Sequence, residues 1–457
     1  MTPAPLERLL TALRTRLDAV RGLVGNRRVT DGGTVRSRAS DLQVVAGLVL
    51  GLYVLFLVLS WFGGFQDAEA LTSRLQSVTL LALVYVMLAL ALNLQWGYAG
   101  LLNLGVAGFA AVGVYTMALL SLPAEGLGLG LPLPVGMLGG FLAATLLGAL
   151  AALPAIRLRA DYLAIVTLAF SEIIRLLIRS RPATEFTIAG QTLGTGGTSS
   201  LDLPSNPVKR LLYQNPDQGA FIAVENPTVI GDPLFTAGEA VGFGPSLVER
   251  VVYTVILLFV ALLFYWLLVR VGNSPFGRVL KAIREDELVA SSLGKDTRRF
   301  KIIAFAVGCG LIALTGMLWQ MRAGGSTAPA TFEPELTFFV FVALILGGSG
   351  SNTGSVVGGI VFVALLLEAP SFIQRIVDTQ FGVPSPPDTL FDALTGVDPF
   401  LGYMFADDNI SALRFVVLGI VLVYLMQNRP EGLFGGRTEE ASTVDLSERP
   451  DSTEAES

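Results

Sequence analysis

The sequence of 457 residues contains no histidine, a single cysteine (Cys309) and few charged residues, which make up 15% of the chain. The lack of histidine excludes histidine-based acid–base catalysis and the usual zinc sites, so we expect no metal site. One cysteine excludes an intramolecular disulfide. Carboxylate or serine chemistry stays open, although no motif indicates either. With so little charge, the chain could not cover the surface of a soluble protein, and we expect no nucleic-acid partner.

Apolar residues are abundant instead: they form 52% of the sequence, as is typical of a polytopic membrane protein. Roughly ten runs approach the length that an α-helix needs to cross about 30 Å of hydrocarbon. They cover residues 41–61, 77–95, 101–120, 131–153, 162–178, 251–268, 301–320, 336–346, 355–367 and 411–426. We therefore predict an all-α polytopic membrane protein, a bundle of roughly ten transmembrane helices.

The arginines predict which loops face the cytoplasm, because Lys and Arg accumulate on that side of a bilayer. If the chain starts inside, Arg157 and Arg159 lie in the cytoplasm after the fourth run, and residues 274–304 lie there after the sixth. Both termini are then cytoplasmic. The predicted parts are an Arg-rich extension (1–40) that begins with an amphipathic helical pattern, a transmembrane domain (41–436) with a long external loop (180–247), and an acidic tail (437–457).

Residues 274–304 form a charged stretch between two apolar runs. Pro275 suits the first turn of a helix, apolar residues recur behind it at roughly helical spacing, and Gly294 is typical of a helix end. The plain interpretation is a cytoplasmic loop whose Lys and Arg residues set orientation. That interpretation leaves the amphipathic helix and its glycine break unexplained. We therefore predict a stiff knob to which a soluble partner docks.

Short sequence motifs within this stretch resemble those of a known family. Residues 276–280 read FGRVL, residues 282–285 read AIRE, and Leu293-Gly294 follows. They resemble the cytoplasmic coupling loop (here 270–300) of LivM-type permeases of branched-chain amino acid ABC transporters. The alanine pair usual in that loop is here Val289-Ala290, so its small-residue surface is kept only in part. The resemblance implies that the residues coupled to an ATPase are Gly277, Arg278, Ala282, Arg284, Glu285, Glu287, Ala290, Leu293 and Gly294.

Further motifs of the same family lie between residues 77 and 435. Residues 161–175 (DYLAIVTLAFSEIIR) resemble a specific family segment, and residues 100–105 resemble a region in which small residues let helix backbones approach. Glu172 and Arg175 lie on one helical face, where they can pair as a polar lining of the path, as a lock between spans or at an interface. The residues assigned to the translocation path are Asn103, Tyr115, Thr116, Thr167, Ser171, Glu172 and Arg175.

Two late motifs complete the resemblance. A glycine-rich turn between two spans contains Gly347, Gly348, Gly350 and Gly354, and the Lys-Ser or Lys-Thr pair of a phosphate-binding loop does not follow it. Residues 428–435, NRPEGLFG, resemble the family's ending. Residues 195–197, Thr-Gly-Gly, resemble the start of the family's glycine motif in the external loop. The expected continuation is missing, because residues 198–200 are Thr-Ser-Ser.

The resemblance implies a permease subunit of an ATP-binding cassette importer of LivHM-type architecture, carrying branched-chain amino acids across the cell membrane. It implies a transport subunit and not an enzyme: this chain binds no cofactor, and ATP and Mg belong to two cytoplasmic ABC ATPase subunits. The other implied partners are a second, LivH-type permease chain, an external substrate-binding protein and the amino acid itself.

Two alternatives stay open. Permeases for urea or other small amides and acids share much of this pattern. An ion-coupled secondary transporter would instead place a carboxylate at membrane depth, and Glu172 is the main candidate for that role.

Overall fold

The computed structural model describes residues 34–64, 67–124, 126–155, 160–188, 190–214, 226–323, 325–381, 407–429 and 432–433, together with residues 391, 394, 400 and 403. The amphipathic pattern near the start of the chain, most of residues 382–406 and the acidic tail lie outside these ranges. The chain forms two units, Met1–Leu48 and Val49–Ser457. The packing that follows lies within the second unit.

Most of the described chain is helical. Its first half contains α1 (Thr34–Phe62), α2 (Ala68–Leu92), α3 (Val106–Ser121), α4 (Leu133–Ala155), α5 (Ala160–Arg179), α6 (Arg181–Thr184), α7 (Pro207–Leu212) and α8 (Gly231–Ala240). The second half contains α9 (Pro245–Gly272), α10 (Pro275–Glu285), α11 (Glu287–Ser292), α12 (Thr297–Gln320), α13 (Pro334–Gly347), α14 (Asn352–Val361), α15 (Ala369–Phe381) and α16 (Asp407–Asn428).

Short elements interrupt or join these helices. Two π-helical segments continue α2 (Asn93–Tyr98) and join α14 to α15 (Phe362–Glu368). Two 3-10 segments, Met321–Ala323 and Pro329–Phe332, follow α12. The strands are β1 (Phe186–Ile188), β2 (Gln191–Leu193), β3 (Leu201–Asp202) and β4 (Ser326–Thr327), and they pair antiparallel as β1 with β2 and β3 with β4.

Six segments of the described chain are long and apolar enough to cross a membrane. They are Val45–Phe62, Ala68–Tyr98, Leu133–Pro154, Pro245–Gly272, Thr297–Gln320 and Asn352–Ile376. Three apolar helices are shorter: Val106–Ser121, Pro334–Gly347 and Arg414–Asn428. Helix α5 has sufficient length but carries Asp161, Glu172, Arg175 and Arg179. Length and composition therefore support a multi-pass protein with fewer certain spans than the roughly ten predicted from hydropathy.

The centre of the bundle is formed by α2 with its π-helical end and by α12, in each of which 72% of the residues in the most apolar 18-residue window are buried. Helix α3 packs on α12 through small residues. A Cβ at Gly113 would lie 2.6 Å from the Cβ of Ala313, and a Cβ at Gly316 would lie 2.9 Å from the Cβ of Ala110. Glycine at both positions lets the two helix backbones approach closely, as small residues do in membrane helix pairs. The small residues of this region are therefore packing positions.

Contacts between the connecting segments show which of them lie together at each end of the bundle. We call the two ends end A and end B. At end A, the Gly244 amide donates to the Glu69 carboxylate at 3.3 Å, and the Gly194 amide donates to the Leu127 carbonyl at 3.3 Å. The β3–β4 pair joins the loop after α6 to the segment after α12. The starts of α2 and α9 and the ends of α3, α5 and α12 therefore meet at end A.

End B contains the opposite end of α2 together with the ends of later helices. The Gly350 amide, between α13 and α14, donates to Asn93 Oδ1 at 2.8 Å. The Leu433 amide, beyond α16, donates to the Leu346 carbonyl at 2.9 Å. Arg284 of α10 donates to the Gly97 carbonyl. The ends of α2, α13 and α16 and the charged helix α10 thus lie together.

The long loop at 180–247 has short elements of its own at end A, namely α6 to α8 and three of the strands. Asn206 begins α7 by accepting from the Lys209 amide at 2.8 Å, and its Nδ2 donates to Glu249 at 3.1 Å. Tyr213 stacks on Phe235 with ring centroids 5.2 Å apart. Its burial, with the Glu249 carboxylate nearby, raises the pKa of Tyr213 to about 12. The described part of this loop is a packed layer.

Candidate functional site

Side-chain caps shape the charged stretch at end B. The Ser274 hydroxyl accepts from the Gly277 amide at 3.2 Å and begins α10. Asp286 accepts from the Leu288 and Val289 amides at 2.8 and 3.1 Å and begins α11. The pattern predicted one helix before the glycine, but the Asp286 cap divides it into two. Asp is a favoured N-cap, so this break could have been recognised in the sequence.

The short helix α11 presents apolar side chains to solvent. Leu288, Val289 and Leu293 are 78%, 55% and 74% exposed. Gly294 follows with a φ of 76°, a left-handed conformation that favours glycine, and it turns the chain toward α12. We call Leu288, Val289, Leu293 and Gly294 the docking surface. Because apolar side chains gain by leaving water, such a cluster between charged helices indicates an interaction site.

Two residues predicted to touch a partner are buried instead. Ala290 is only 3% exposed because it lies on the inner side of α11, where its carbonyl accepts from the Lys295 amide at 3.3 Å. Gly277 is buried where α10 meets the end of α9, and a Cβ there would lie 2.8 Å from Gly272 Cα. Their small size lets the helices of the knob pack closely, and they do not form its outer surface.

The other predicted coupling residues lie on the faces of α10 and α11. Glu287 pairs with Lys301 at 2.6 Å and so ties the start of α11 to α12. Arg284 turns toward the end of α2. The remaining ones are Arg278 and Glu285, which are exposed, and Ala282, which is half-buried.

The glycine turn lies next to these helices at end B. Gly348 and Gly350 have φ values of 108° and 92°, which L-residues with a side chain rarely adopt. A Cβ at Gly354 would lie 2.7 Å from the Gly347 carbonyl oxygen, so α13 and α14 touch backbone to backbone. The turn is therefore a tight reversal between two apolar helices.

Part of the NRPEGLFG motif packs on this turn. A Cβ at Gly432 would lie 2.6 Å from the Gly348 amide nitrogen, and the adjacent Leu433 amide binds the Leu346 carbonyl. Pro430, Glu431 and the residues after 433 lie outside the described chain. Motifs that are far apart in the sequence thus meet at one end of the bundle.

Two of the residues predicted on the translocation path, Asn103 and Thr167, belong to a buried polar chain. Asn103 Nδ2 donates to Gln95 Oε1 at 2.9 Å, and Gln95 Nε2 donates to the Phe305 carbonyl at 2.8 Å. The Leu104 amide donates to Thr167 Oγ1 at 2.9 Å. These bonds connect the end of α2, the segment before α3, α5 and α12.

Ser171, another residue predicted on the path, is buried against Gly108, where a Cβ would be 2.7 Å from the Ser171 hydroxyl oxygen. Tyr115 is elsewhere, on α3, with its ring edge-on to Phe332 at 6.1 Å between centroids. The Tyr115 hydroxyl is buried and has no hydrogen-bond partner among the described residues. Thr116, next to it, is half-buried. The predicted path residues therefore fall into separate groups.

Glu172 and Arg175 form the predicted ion pair, with Arg175 Nε and Nη2 donating to the carboxylate at 2.9 and 2.6 Å. A second carboxylate, Glu333 at the start of α13, lies 3.6 Å from Arg175 Nη1. The Glu172 side chain is 34% exposed and that of Arg175 is 14% exposed. The pair thus connects α5 to the start of α13, and it lies away from the polar chain.

Arg175→Ala should destabilise the protein more than Glu172→Ala, because it leaves two carboxylates without their shared cation, whereas the glutamate deletion leaves Arg175 beside Glu333. Since the pair is partly exposed, we expect a difference of only about 1–2 kcal/mol. Thermal unfolding in detergent would measure it. The double variant should be more stable than Arg175→Ala, and equal stability of the two would contradict the ion-pair interpretation.

The sequence analysis missed Asn93, Gln95 and Asn352, which are buried at end B. Asn93 Nδ2 donates to Asn352 Oδ1 at 3.1 Å. The signal was available, since polar residues inside an apolar run are costly unless they find partners. Their pairing shows that the end of α2 is held to the start of α14 by side chains.

Potential metal ligands do not cluster in the part of the chain that the structure describes. Cys309 is buried in α12, with its sulfur 3.4 Å from Gln95 Nε2 and 3.8 Å from Asn103 Nδ2. It is therefore a packing neighbour of the polar chain.

Comparison with known proteins agrees with this geometry. Residues 74–397 match the family model described as "Branched-chain amino acid transport system / permease component". The high-affinity branched-chain amino acid transport system permease protein LivM of Escherichia coli is 34% identical over 336 residues, which are 73% of this chain and 68% of the relative. A probable LivM of Methanocaldococcus jannaschii is 28% identical over 69% of this chain and 86% of its own length.

A second kind of permease chain is also similar. The LivH protein of Escherichia coli is 29% identical over 131 residues, which are 28% of this chain and 40% of LivH. No solved structure matches the chain. The resemblance read from the motifs is thereby confirmed, and with its multiple apolar helices this is a multi-pass membrane transport subunit. The chain belongs to the family of permease components of branched-chain amino acid transport systems.

Proposed function

We propose that this chain forms part of the membrane path of an ABC importer for branched-chain amino acids, driven by ATP hydrolysis on two cytoplasmic ATPase subunits. The observation that carries this proposal is the docking surface: Leu288 and Leu293 are more than 70% exposed on a short helix at end B. An exposed apolar knob between two charged segments fits a groove on a soluble partner. ATP and Mg belong to that partner, and this chain binds neither.

The proposed topology has roughly ten spans, with both termini in the cytoplasm. Contacts at the two ends support it, because the segment after α3 is bonded at end A and the end of α13 is bonded at end B. The Ala107 amide at the start of α3 donates to Thr337 Oγ1 in the first turn of α13 at 3.0 Å, so these two short helices need their flanking segments to complete a crossing. End B is then cytoplasmic and end A external, and the basic residues of α10 to α12 agree with that orientation. The layer formed by the described part of residues 180–247 then covers the external end.

The remaining partners are a second, LivH-type permease chain and an external binding protein that delivers the amino acid. Similarity to both LivM and LivH supports a permease partnership. The packed layer at end A offers a surface for the binding protein. The substrate class is that of the relatives, which are permeases for branched-chain amino acids.

The test is to purify the chain gently from its native membrane, identify the companions, and reconstitute the complex in vesicles with ATP on the end-B side. We expect ATPase subunits and a second permease chain to co-purify, and uptake of leucine, isoleucine or valine to require ATP. Urea uptake under the same conditions would favour the amide permeases. Uptake by the isolated chain under an ion gradient without ATP would contradict the proposal.

A further inference from the structure

Arg284, a residue of the predicted coupling set, donates a hydrogen bond from its side chain to the backbone of a membrane helix at end B. Its Nη1 donates to the Gly97 carbonyl, in the last turn of the π-helix that ends α2. The residue as a whole is exposed on α10, but its guanidinium reaches the backbone of the bundle. A residue that belongs to the docking segment thus holds the backbone of a membrane helix.

Three glycines lie around the Arg284 side chain, and one of them, Gly350, leaves the space that its guanidinium occupies. A Cβ at Gly350 would lie 2.5 Å from Arg284 Nη1, and a Cβ at Gly100 would lie 3.6 Å from Arg284 Cγ. A Cβ at Gly97 would lie 2.7 Å from the Gly350 amide nitrogen. Gly100 and Gly350 also have positive φ values, 68° and 92°. The cradle is therefore built from two chain segments that meet around one arginine.

The same two segments are tied to each other and to the rest of the bundle. Asn93 accepts from the Gly350 amide at 2.8 Å and donates to Asn352 at 3.1 Å. Gln95, within the π-helix, bonds to the Phe305 carbonyl and to Asn103. A displacement at Gly97 therefore acts on α12, α14 and the segment before α3 through direct hydrogen bonds.

The backbone that Arg284 holds is a π-helix, a form that is rare and frequently found at functional sites. The π-turn has an alternative in ordinary α-helical pairing, and such discrete alternatives can carry coupling between distant sites. Arg284 donates to a carbonyl at the end of this π-segment, so a change from π-helical to α-helical hydrogen bonding would move the group that Arg284 binds.

We propose that Arg284 is the positioning residue that transmits movement of the docking surface to the membrane helices, by holding the Gly97 carbonyl within the glycine cradle. This inference rests on the proposed function, since it requires an ATPase at the docking surface. It assigns a mechanical link between α10, the π-helix of α2 and the glycine turn.

The test uses the complete reconstituted complex with Arg284→Gln and, as a matched control, Arg270→Gln. Arg270 lies at the end of α9, where its guanidinium stacks on Trp266 at 5.8 Å. Arg284→Gln should leave the ATPase bound and ATP hydrolysis within about twofold of normal, while uptake falls by about tenfold, a typical size for coupling between sites. Arg270→Gln should transport normally. Arg284→Lys, which keeps the charge and a donor, should restore part of the uptake.

Hydrogen–deuterium exchange provides a readout that a merely structural role would not change. With a non-hydrolysable ATP analogue, exchange in the wild-type complex should change both in residues 287–294 and in residues 93–105. In Arg284→Gln only residues 287–294 should respond. This readout needs no variant to be decisive, because a wild-type response confined to 287–294 would overturn the inference.

Other results would also overturn the link. Normal uptake by Arg284→Gln would remove its basis, and loss of the ATPase from that variant would mean that Arg284 serves only to hold α10 in place for docking. Failure of the proposed function itself is distinguishable, since the wild-type complex would then lack ATP-dependent uptake.

Discussion

Replacing Leu288 and Leu293 with Asp should release the ATPase subunits from the complex and abolish ATP-driven uptake. Both side chains are largely exposed on α11, so neither supports the fold of the isolated chain. An interface anchor of this kind is worth about 2–4 kcal/mol, so we expect affinity to fall on the order of 100-fold or more. Co-purification from detergent-solubilised membranes, followed by uptake in vesicles, would measure the effect.

The matched control for this prediction is Val229→Asp. Val229 is 94% exposed and belongs to the layer at end A, so the same chemical change occurs far from the docking surface. We expect the control to retain its ATPase subunits. If the Leu288 and Leu293 variant also retained them in normal amount, α11 would not be the docking element, and the ABC interpretation would lose its structural support.

Gly113→Val should prevent stable folding, because the side chain would enter the closest contact between α3 and α12. A Cβ alone would lie 2.6 Å from the Ala313 Cβ and 2.9 Å from its carbonyl oxygen. The branched side chain can be accommodated only by separating the two backbones. Overpacking of a tight core costs about 1–3 kcal/mol or more, and the yield of folded protein should fall accordingly. Size-exclusion profiles and thermal unfolding in detergent would measure it.

Two variants sharpen this test. Gly419→Val makes the same change on α16, where no atom lies within 4 Å of the added Cβ, and should be neutral. Gly113→Ala combined with Ala313→Gly exchanges one methyl group across the contact and should recover much of the stability lost in Gly113→Ala. A combined variant no better than Gly113→Ala would count against this packing account.

Much of the helical architecture could be predicted locally. Each of the ten apolar runs coincides with a helix or part of one in the described chain, because long apolar segments have few other solutions in a membrane. Hydropathy could not decide how many of these helices span, since α3 and α13 are short and α5 carries charges. The positions of these helices relative to ends A and B are set by contacts with neighbouring segments, which the length and composition of a single segment do not reveal.

The motifs predicted where the candidate site lies in the chain, but they did not predict which side of each helix is exposed. The coupling motif indicated Ala290 as a contact residue, yet the structure buries Ala290 and exposes Leu288 instead. Helical spacing alone could not make that distinction, because the Asp286 cap starts a new helix with a new phase. In the same way, the motif included Arg284 among the residues coupled to an ATPase, but its hydrogen bond to the Gly97 carbonyl depends on the fold.

The class of the protein, its apolar helices, the glycine breaks and the family could be predicted from the chain alone, because each depends on composition or on residues close together in it. The fold was needed to show that the end of α2, the glycine turn, α10 and the residues after α16 meet at one end of the bundle. It also decided which side of each helix faces a neighbour. These features arise from contacts between residues more than 100 positions apart, such as Asn93 with Asn352 and Arg284 with Gly97, which no local pattern encodes.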